Sequence, residues 1–587
     1  LQFSYVGMVT QVISVKGQST INLVMATDAK LLDEVVVVGF GTQKKVNVTG
    51  SVSAVSAKDI AARPINNVTE ALQGVVPGMN FSTGSGGGAL NSNKAFNIRG
   101  TGTIGAGSNA TPLVLIDGME GDINMINPQD IENISVLKDA AASSIYGSRA
   151  PAGVILITTK SGKEGKNVVN YNNNFRFISP LNMPKMADSY NFALYFNDAQ
   201  PDGNMFSDAK LEQIKAYQKD NSAQSMWPTS SNKWEVWDNL ELLPVGNTDW
   251  LKTHFGNSFT QEHSISLNGG TEKLQYFISG NYLNQGGLLN YGDDNKQRYS
   301  LNAKINSKLS EKVKIGYNAR FVRSDYDAPS YMDGLFYHNV TRYWPIIPVT
   351  DPNGFYTGDS KIYQLTDGGR YTSQQDQLTQ QLSFLVTPIE DWNINVELNY
   401  RTGNNFNHTD WLTTYAYDVN KNPYVYDNAT SGVSEYAYKS NFFNTNIFTD
   451  YTSEFGDGHT LKGMVGFQSE LYNDRSINAS KNIVQSINHP TLNTAETNPQ
   501  NTGGYGHWST MGFFGRVNYD YVGKYLAEVN LRYDGTSRFL QDQRWNLFPS
   551  FSLGWNIARE EFFEDYTDVL SNFKLRASWG ELGNQNT

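Results

Sequence analysis

The chain reads as a mainly β protein: a transmembrane antiparallel β-barrel of about thirteen strands, a compact α/β domain ahead of it, and the tail of a small β-sandwich. Three observations predict this. First, many segments between Val168 and Leu582 alternate apolar and polar residues over roughly ten positions, giving each strand one oily and one wet face. Leu301, Ala303 and Ile305 share one face, with Asn302, Lys304, Asn306 and Lys308 on the other; Val313, Ile315, Tyr317, Ala319 and Phe321 stand likewise against Lys314, Gly316, Asn318 and Arg320. The pattern returns in Ile394–Tyr400, Val529–Tyr533, Phe551–Ile557 and Leu575–Trp579. Second, no stretch approaches the ~18 uninterrupted apolar residues of a membrane helix. Third, tight links such as Gly269–Glu272 and Gly456–His459 contrast with long connections at 325–374, 402–435 and 473–507, an asymmetry that fits short periplasmic turns and long external loops.

Composition narrows the function classes. At 587 residues the chain exceeds one ordinary soluble core, and more than one domain is expected. Apolar residues are only 39 %, enough for a barrel, in which every second residue suffices, but not for a helical membrane protein. The 33 tyrosines suit interfacial girdles and sugar-facing surfaces. A soluble β-propeller or solenoid is the competing architecture. The net charge of −11, without a basic block, argues against nucleic acid. Without cysteine there are no disulfides, thiolate catalysis or cysteine-based zinc sites. No signal peptide is visible, and both ends read as cut.

Four regions follow in order. Residues 1–28 carry short β segments, Leu1–Val6, Thr10–Val15 and Ser19–Met25, that look like the end of a sandwich. Residues 29–45 form a linker with the run Val35–Val38, either a buried core strand or an extended peptide that another protein captures by strand addition. Residues 46–164 change to α/β: helical turns within Asn66–Gln73, a short buried strand ending at Asp117-Gly118, a strand Ile131–Leu137, a helix Asp139–Tyr146 and a strand Val154–Lys160. Residues 165–587 are the barrel part, opening with Val168–Ile178. An insertion over 180–255 carries the amphipathic helix Asp208–Lys219, and alternation resumes at Phe259.

Catalytic signals are weak. Gly100–Gly105 matches GxGxxG, but Ala106–Pro112 cannot open the helix a dinucleotide site needs, and Asp117 comes too early, so a mobile loop is the better account. The seven histidines are scattered, which gives no local support for a metal centre or a Ser-His-Asp machine. Paired acids at Glu390-Asp391 and Glu560-Glu561 suit solvated turns better than glycosidase work. Aromatics cluster in the long connections: Tyr331, Phe336, Tyr337, Tyr343 and Trp344 in one, Trp411, Tyr415, Tyr417, Tyr424 and Tyr426 in another. They either stack on sugar or partner surfaces, or pack on themselves and at the membrane interface.

Several strings carry a resemblance. Asn97-Ile-Arg-Gly-Thr101, Leu113-Val-Leu-Ile-Asp-Gly-Met119, the stretch Ile131–Ala150 and Gly153-Val-Ile-Leu-Ile-Thr-Thr-Lys160 resemble the plug of TonB-dependent outer-membrane transporters. Leu32–Lys45 and Asn247-Thr-Asp-Trp250 look like the SusC/RagA branch, and Leu1–Gly7 is similar to the end of the carboxypeptidase-regulatory-like sandwich of that branch. The resemblance implies a plug over 46–164 with signature residues Arg99, Gly100, Asp117, Gly118, Tyr146, Gly147 and Gly153. It further implies a TonB-binding segment, Asp33, Glu34, Val35, Val36, Val37, Val38 and Gly39. Barrels of this plugged class have about 22 strands, so the thirteen here are an incomplete barrel. The implied activity is energy-coupled import of a large nutrient, an oligosaccharide first and a peptide second, in the bacterial outer membrane. The implied partners are TonB with ExbB/ExbD and a SusD-like surface lipoprotein, with neither cofactor, metal nor catalysis. A siderophore or cobalamin-type receptor, or a non-transporting surface receptor, is the alternative. Ligand contacts are expected from outward plug loops, at Ser85, Asn91, Asn93, Thr103, Ser108 and Asn109, and from Tyr331, Tyr337 and Trp344 of the barrel loops.

Overall fold

The computed structural model describes residues 2–3, 11–12, 23, 35–61, 63, 65, 67–82, 89–92, 94–100, 111–181, 183–200, 205–234, 242–332, 339–427, 430–566, 569–570 and 572–585. Of the expected sandwich tail, two short paired strands fall among them, β1 (Gln2–Phe3) and β2 (Gln11–Val12). The third segment, Ser19–Met25, lies almost wholly outside them, as do residues 101–110, which hold most of the GxGxxG string. A hairpin follows, β3 (Val35–Val37) on β4 (Thr42–Lys44).

The α/β domain contains β5 (Val52–Ser56), α1 (Ala57–Ala61), α2 (Val68–Leu72), β6 (Met79–Ser82), β7 (Ala95–Ile98), β8 (Leu113–Ile116), β9 (Met119–Glu120), β10 (Ile131–Leu137), α3 (Ala140–Ser143) and β11 (Val154–Thr159). Its main sheet runs β5-β10-β11-β8-β9, with β11 parallel to β8. Ile155 and Ile157 point into a core with Val55, Ile60, Leu72, Ile134 and Val136. Their neighbours Val154 and Leu156 point the other way, towards Leu113, Leu115, Leu137 and Ile145. Burial on both faces explains why these strands are continuous apolar runs rather than alternating ones. Asn67 starts α2 by accepting a hydrogen bond from Glu70 N at 2.9 Å. The helix expected over Asp139–Tyr146 is shorter: Asp139 caps it, but after Ser143 the chain tightens into a 3₁₀ segment, Ser144–Arg149, broken at Gly147 (φ 56°). A Cβ at Gly147 would lie 1.9 Å from Asp534 Oδ2, so only glycine permits this approach to the barrel wall.

Thirteen long strands make one antiparallel sheet in sequential order. They are β12 (Gly165–Ile178), β13 (Ser258–Gly270), β14 (Leu274–Gly286), β15 (Asn295–Ser310), β16 (Val313–Pro329), β17 (Arg370–Ile389) and β18 (Trp392–Trp411). After a small hairpin, β19 (Thr414–Tyr417) on β20 (Pro423–Asp427), come β21 (Gly432–Phe455), β22 (His459–Val484), β23 (Ala495–Tyr521), β24 (Tyr525–Thr536), β25 (Trp545–Asn556) and β26 (Lys574–Gly580). The alternation is inverted relative to a soluble sheet. On β24, Glu528, Asn530, Arg532 and Asp534 are buried, while Val529, Leu531 and Tyr533 are each about half exposed. Only an apolar solvent outside makes that arrangement favourable. Among the described residues no helix is long and apolar enough to cross a membrane.

Two of the expected loops, 402–435 and 473–507, are largely strand, and the third is trimmed: the long strands of the sheet are joined by the connections 330–369, 412–431, which carries the β19–β20 hairpin, and 485–494. With 24 to 27 residues, β21–β23 run far beyond the ~10 residues that cross lipid. Past the lipid band both strand faces meet water. Cross-strand pairing then continues without the apolar period that marks a strand in sequence.

At one end, hairpins close in two or three residues, as at Glu311-Lys312 and Glu390-Asp391, except for the longer connection 557–573 between β25 and β26. At the other, the described residues of 179–257 fold together with 339–349. They contain α4 (Ser189–Ala199), α5 (Asp208–Lys219, as expected) and α6 (Trp250–His254), packed around Phe206, Ile214, Leu243, Trp250 and Ile346. The Asn247-Thr-Asp-Trp string knots this unit together. Asn247 accepts from Ser189 N at 3.0 Å, Thr248 Oγ1 donates to Ile347 O at 2.7 Å, and Asp249 caps α6.

Leu531, level with Val465 across β22–β24, lies within the lipid band, whereas Ile477 lies twelve residues higher on β22. Leu531→Arg is expected to cost ~2–4 kcal/mol. Ile477→Arg is expected to be nearly neutral. Urea midpoints followed by electrophoretic mobility in phospholipid bilayers check both.

Candidate functional site

The α/β domain sits against the polar concave face of the sheet, and the contacts between the two are the site. A recurrent arrangement is a cation of the wall donating to a backbone carbonyl of the domain or of the hairpin ahead of it. Arg516 Nη1 reaches Val38 O at 3.1 Å, Arg532 Nη1 reaches Ile145 O at 2.6 Å, and Arg576 Nη1 reaches Gly50 O at 2.5 Å. Lys574 Nζ reaches both Val46 O and Val48 O, at 2.8 and 2.7 Å. On the opposite wall, Gln381 Nε2 donates to Asp117 O at 2.8 Å and Arg401 Nη1 to Glu120 O at 2.5 Å. Thr49 with Ser552 and Ser144 with Ser550 add hydroxyl pairs at 2.7 and 2.6 Å.

Two charged nodes stand out. Asp117 turns β8 into β9 with φ 49°, and its carboxylate accepts from Thr159 N and Oγ1, Lys304 Nζ and Asn318 Nδ2, so it ties β11, β15 and β16 to one point. Burial alone pushes this carboxyl up, but the Lys304 charge, the Thr159 hydrogen bonds and the Arg320 charge together outweigh it and hold the pKa below the ordinary value. At the second node Arg149 bridges Glu120 of the same domain and Glu470 of β22. Burial disfavours its charge, yet the two carboxylates more than compensate and raise its pKa. The nearby Tyr146 hydroxyl is raised chiefly by burial.

The segment expected to bind TonB is docked here. Val36 and Val38 are buried with Leu113, Ile145 and Tyr146 of the domain and Phe448, Met464 and Phe514 of the wall. Phe40 stacks on Phe514 at 4.3 Å. Gly39 has φ 62°, and a Cβ there would meet Arg516 Nη2 at 2.7 Å. Of the two readings of Val35–Val38, the buried strand describes this conformation; Asp33 and Glu34 lie outside the described residues.

The other sequence-named residues divide. Arg99 (φ 59°) donates through Nη2 to Ser51 Oγ at 3.0 Å, beside Gly100 (φ 92°). Gly118 follows Asp117 in its turn, facing Glu397, and Gly153 lies where a Cβ would touch Leu137 O. Among the ligand candidates Ser85, Asn93, Thr103, Ser108, Asn109 and Tyr337 lie outside the described residues. Asn91 is exposed next to Leu90, which packs with Ala89 against Tyr326, Met332 and Tyr371, so Asn91 and Tyr331 flank one apolar cluster. Trp344 is elsewhere, among Phe192 and Phe196 at 5.0 and 4.7 Å. The wall residues Arg516, Arg532, Glu470, Lys574 and Arg576 escaped sequence reasoning. Their signal was a charge on the lumen parity of a strand, which told where the side chain faced but not what it met.

A family model described as TonB-dependent Receptor Plug Domain matches residues 44–154. TonB-dependent receptor SusC of Bacteroides thetaiotaomicron is 29 % identical over 624 aligned positions, covering 99 % of this chain and 56 % of that protein. The RagAB peptide importer in its open-open state superposes with TM-score 0.78 at 25 % identity, over 94 % of this chain and 62 % of that one. Ferric enterobactin receptor PirA of Pseudomonas aeruginosa reaches 32 % identity over only 22 % of this chain and 19 % of that protein. The chain spans little more than half the length of the SusC protein it matches end to end.

Arg149→Met leaves the buried Glu470 and the part-exposed Glu120 without their cation and is expected to cost ~3–5 kcal/mol of plug stability. Adding Glu470→Gln should recover part of that loss, read as hydrogen-exchange protection of Ser144–Arg149. Arg516→Ala should instead lower protection of Val36–Val38 and leave Ser144–Arg149 nearly unchanged.

Proposed function

Because this chain belongs to the SusC/RagA family of TonB-dependent receptors, we propose that the protein it comes from imports a large nutrient across a bacterial outer membrane. The cargo is an oligosaccharide first and a peptide second. The observation that carries this reading is the domain of residues 46–164 wedged against the polar face of an inside-out sheet, held by cation-to-carbonyl contacts. A wide lumen of this kind leaks unless stoppered, and a stopper that must move is best held by bonds that water can replace.

In this reading the long-connection end faces outside, where residues 179–257 and 339–349 and the tops of β21–β23 meet ligand and a SusD-like lipoprotein. The short-turn end faces the periplasm. Ligand binding shifts the plug and frees Val36–Val38 from their seat against Phe448, Met464 and Phe514, which makes the segment Asp33–Gly39 available. TonB, energised through ExbB/ExbD, then adds a strand to that segment and pulls. Every step is binding or conformational change, and no catalytic group takes part. The siderophore alternative is disfavoured because the enterobactin-receptor match covers so little of the chain.

Cells carrying the full-length receptor should accumulate labelled oligosaccharide or peptide pools only with TonB present. Deleting residues 33–39 should abolish accumulation while surface binding persists. Accumulation unchanged without TonB would refute the import reading in favour of a passive receptor.

A further inference from the structure

On the lumen parity of β21–β23, above the level of the plug, a column of aromatic side chains stands half-buried: Tyr436, Tyr438, Tyr472 and Trp508. Their parity is that of Asn444, Asn446 and Phe448 on β21 and of Arg516 on β23, which face the plug or line the same interior. Tyr472 is the register partner of Phe442 on one side and Trp508 on the other. The Tyr472 and Trp508 rings lie 5.5 Å apart and 21° from parallel, and Tyr436 and Tyr438 lie 6.5 Å apart at 9°. The Tyr438 and Tyr472 hydroxyls share a hydrogen bond of 2.5 Å, which fixes both rings. Arg538 lies over Trp508 at 4.9 Å, and Arg401 lies over Phe442 at 5.1 Å while donating to the plug at Glu120 O. The foot of the column is therefore the Arg149–Glu120–Glu470 node.

Beside the rings the wall is open and polar. β23 presents Gly504 and Gly506 on the same face, where Cβ atoms would touch Ser476 Oγ and Asp474 Oδ1. These glycines make room for the Ser476 hydroxyl and the Asp474 carboxylate to lie against the strand, on the face the rings occupy. Ser440, Ser476, Asn478 and Asp474 share that parity.

We propose that this column is a binding surface for an uncharged oligosaccharide on its way to the plug. The proposal deepens the import reading and rests on it, since it takes the lumen as the route. A sugar ring has an apolar C–H face and a rim of hydroxyls. It needs flat aromatic faces together with carboxylate, amide and hydroxyl partners, and this wall offers both. Its charges balance: Asp474 and Glu120 stand against Arg401 and Arg538, so no net field selects an anion or a cation. A peptide backbone would need free strand groups to pair with, and those of β22 are engaged by both neighbours along this stretch.

The test uses the full-length receptor and isothermal titration with fragments of neutral α-glucan, β-glucan, fructan, mannan and xylan, alongside uronic-acid oligosaccharides and a tryptic peptide mixture. One neutral class is expected to bind. Trp508→Ala and Tyr472→Ala should each weaken it roughly tenfold or more, with Trp508→Phe retaining most of the affinity. Tyr505→Ala, one residue off parity and facing outward, should leave it unchanged, and heat-modifiable mobility shows that each variant folds. Three results overturn the proposal: no neutral fragment binds, neutral binding is indifferent to Trp508→Ala and Tyr472→Ala, or only peptide or acidic sugar depends on them. TonB-dependent uptake that survives any of these leaves import standing and removes this site alone. Sugar binding through Trp508 without TonB-dependent uptake does the reverse.

Discussion

The inversion of the large sheet governs the rest of the structure. With Val529, Leu531 and Tyr533 outward and Glu528, Asn530, Arg532 and Asp534 inward, the interior holds charges and amides that no apolar core can accept. A wall of that kind needs polar partners over much of its height. The α/β domain supplies them with its least apolar parts, turn carbonyls and the caps of short helices, while its own hydrophobic groups close on themselves in one cluster and, in a second, pack with the β3–β4 hairpin and with Phe448, Met464 and Phe514 of the wall.

How the wall grips the plug follows from what each partner can offer. Across the interface Arg516, Arg532, Arg576 and Lys574 donate to main-chain oxygens rather than to carboxylates. A carbonyl is neutral, so breaking such a bond strands no opposite charge, and water can take its place at small cost. Formal ion pairs across the interface are concentrated at Asp117 with Lys304 and at Arg149 with Glu470. Separating either leaves a buried charge exposed to low dielectric, which costs several kcal/mol per ion, on the order of a whole local unfolding step. The interface thus combines many replaceable contacts with two that resist movement. The two lie on different walls, β15–β16 and β22.

Much of this was legible in the sequence wherever a period of two survives. The strands from Ser258 to Ser310 and the thirteen-strand count follow from alternation alone. Legibility failed where one of the two solvents changed. Above the lipid, β18, β21, β22 and β23 have water on both faces and read as loop. Inside the plug, Leu113–Ile116 and Val154–Thr159 have core on both faces and read as bare apolar runs. Phe448, Met464 and Phe514 break the polar-in rule, and only the seat of Val36 and Val38 gives the reason. Trp344 and the Asn247–Trp250 string were visible as unusual residues, but whether they meet a ligand or one another is a matter of tertiary contact that spacing does not encode. The aromatic column was missed for a related reason: Tyr436, Tyr472 and Trp508 border the stretches 402–435 and 473–507 read as loop, where no alternation told which way a side chain faced.

The seat of the β3–β4 hairpin also sets a scale for any signal that frees it. Burying Val36 and Val38 contributes ~1.5–3 kcal/mol each. The Arg516 bond to Val38 O adds ~1.5–3 kcal/mol as a charge-assisted contact. Phe40, stacked on Phe514, adds more. Release therefore costs several kcal/mol even after water replaces what is lost, and thermal fluctuation alone exposes the segment only rarely. A ligand that binds both states equally shifts nothing, however tightly it binds. A shift from mostly docked to mostly free requires it to favour the freed state by ~10⁴-fold, or about 5.5 kcal/mol. That differential has to arise where ligand touches parts that move with the plug. Glu120 is such a part, joined at once to Arg401 and, through Arg149, to Glu470 on the wall. A contact that loosens Glu120 loosens Arg149, and the backbone of Arg149 continues directly from Tyr146 and Ile145, which form one side of the hairpin's seat. The route from lumen to hairpin is thus a few residues of one 3₁₀ segment, short enough for a local change at its outer end to be felt at Val38.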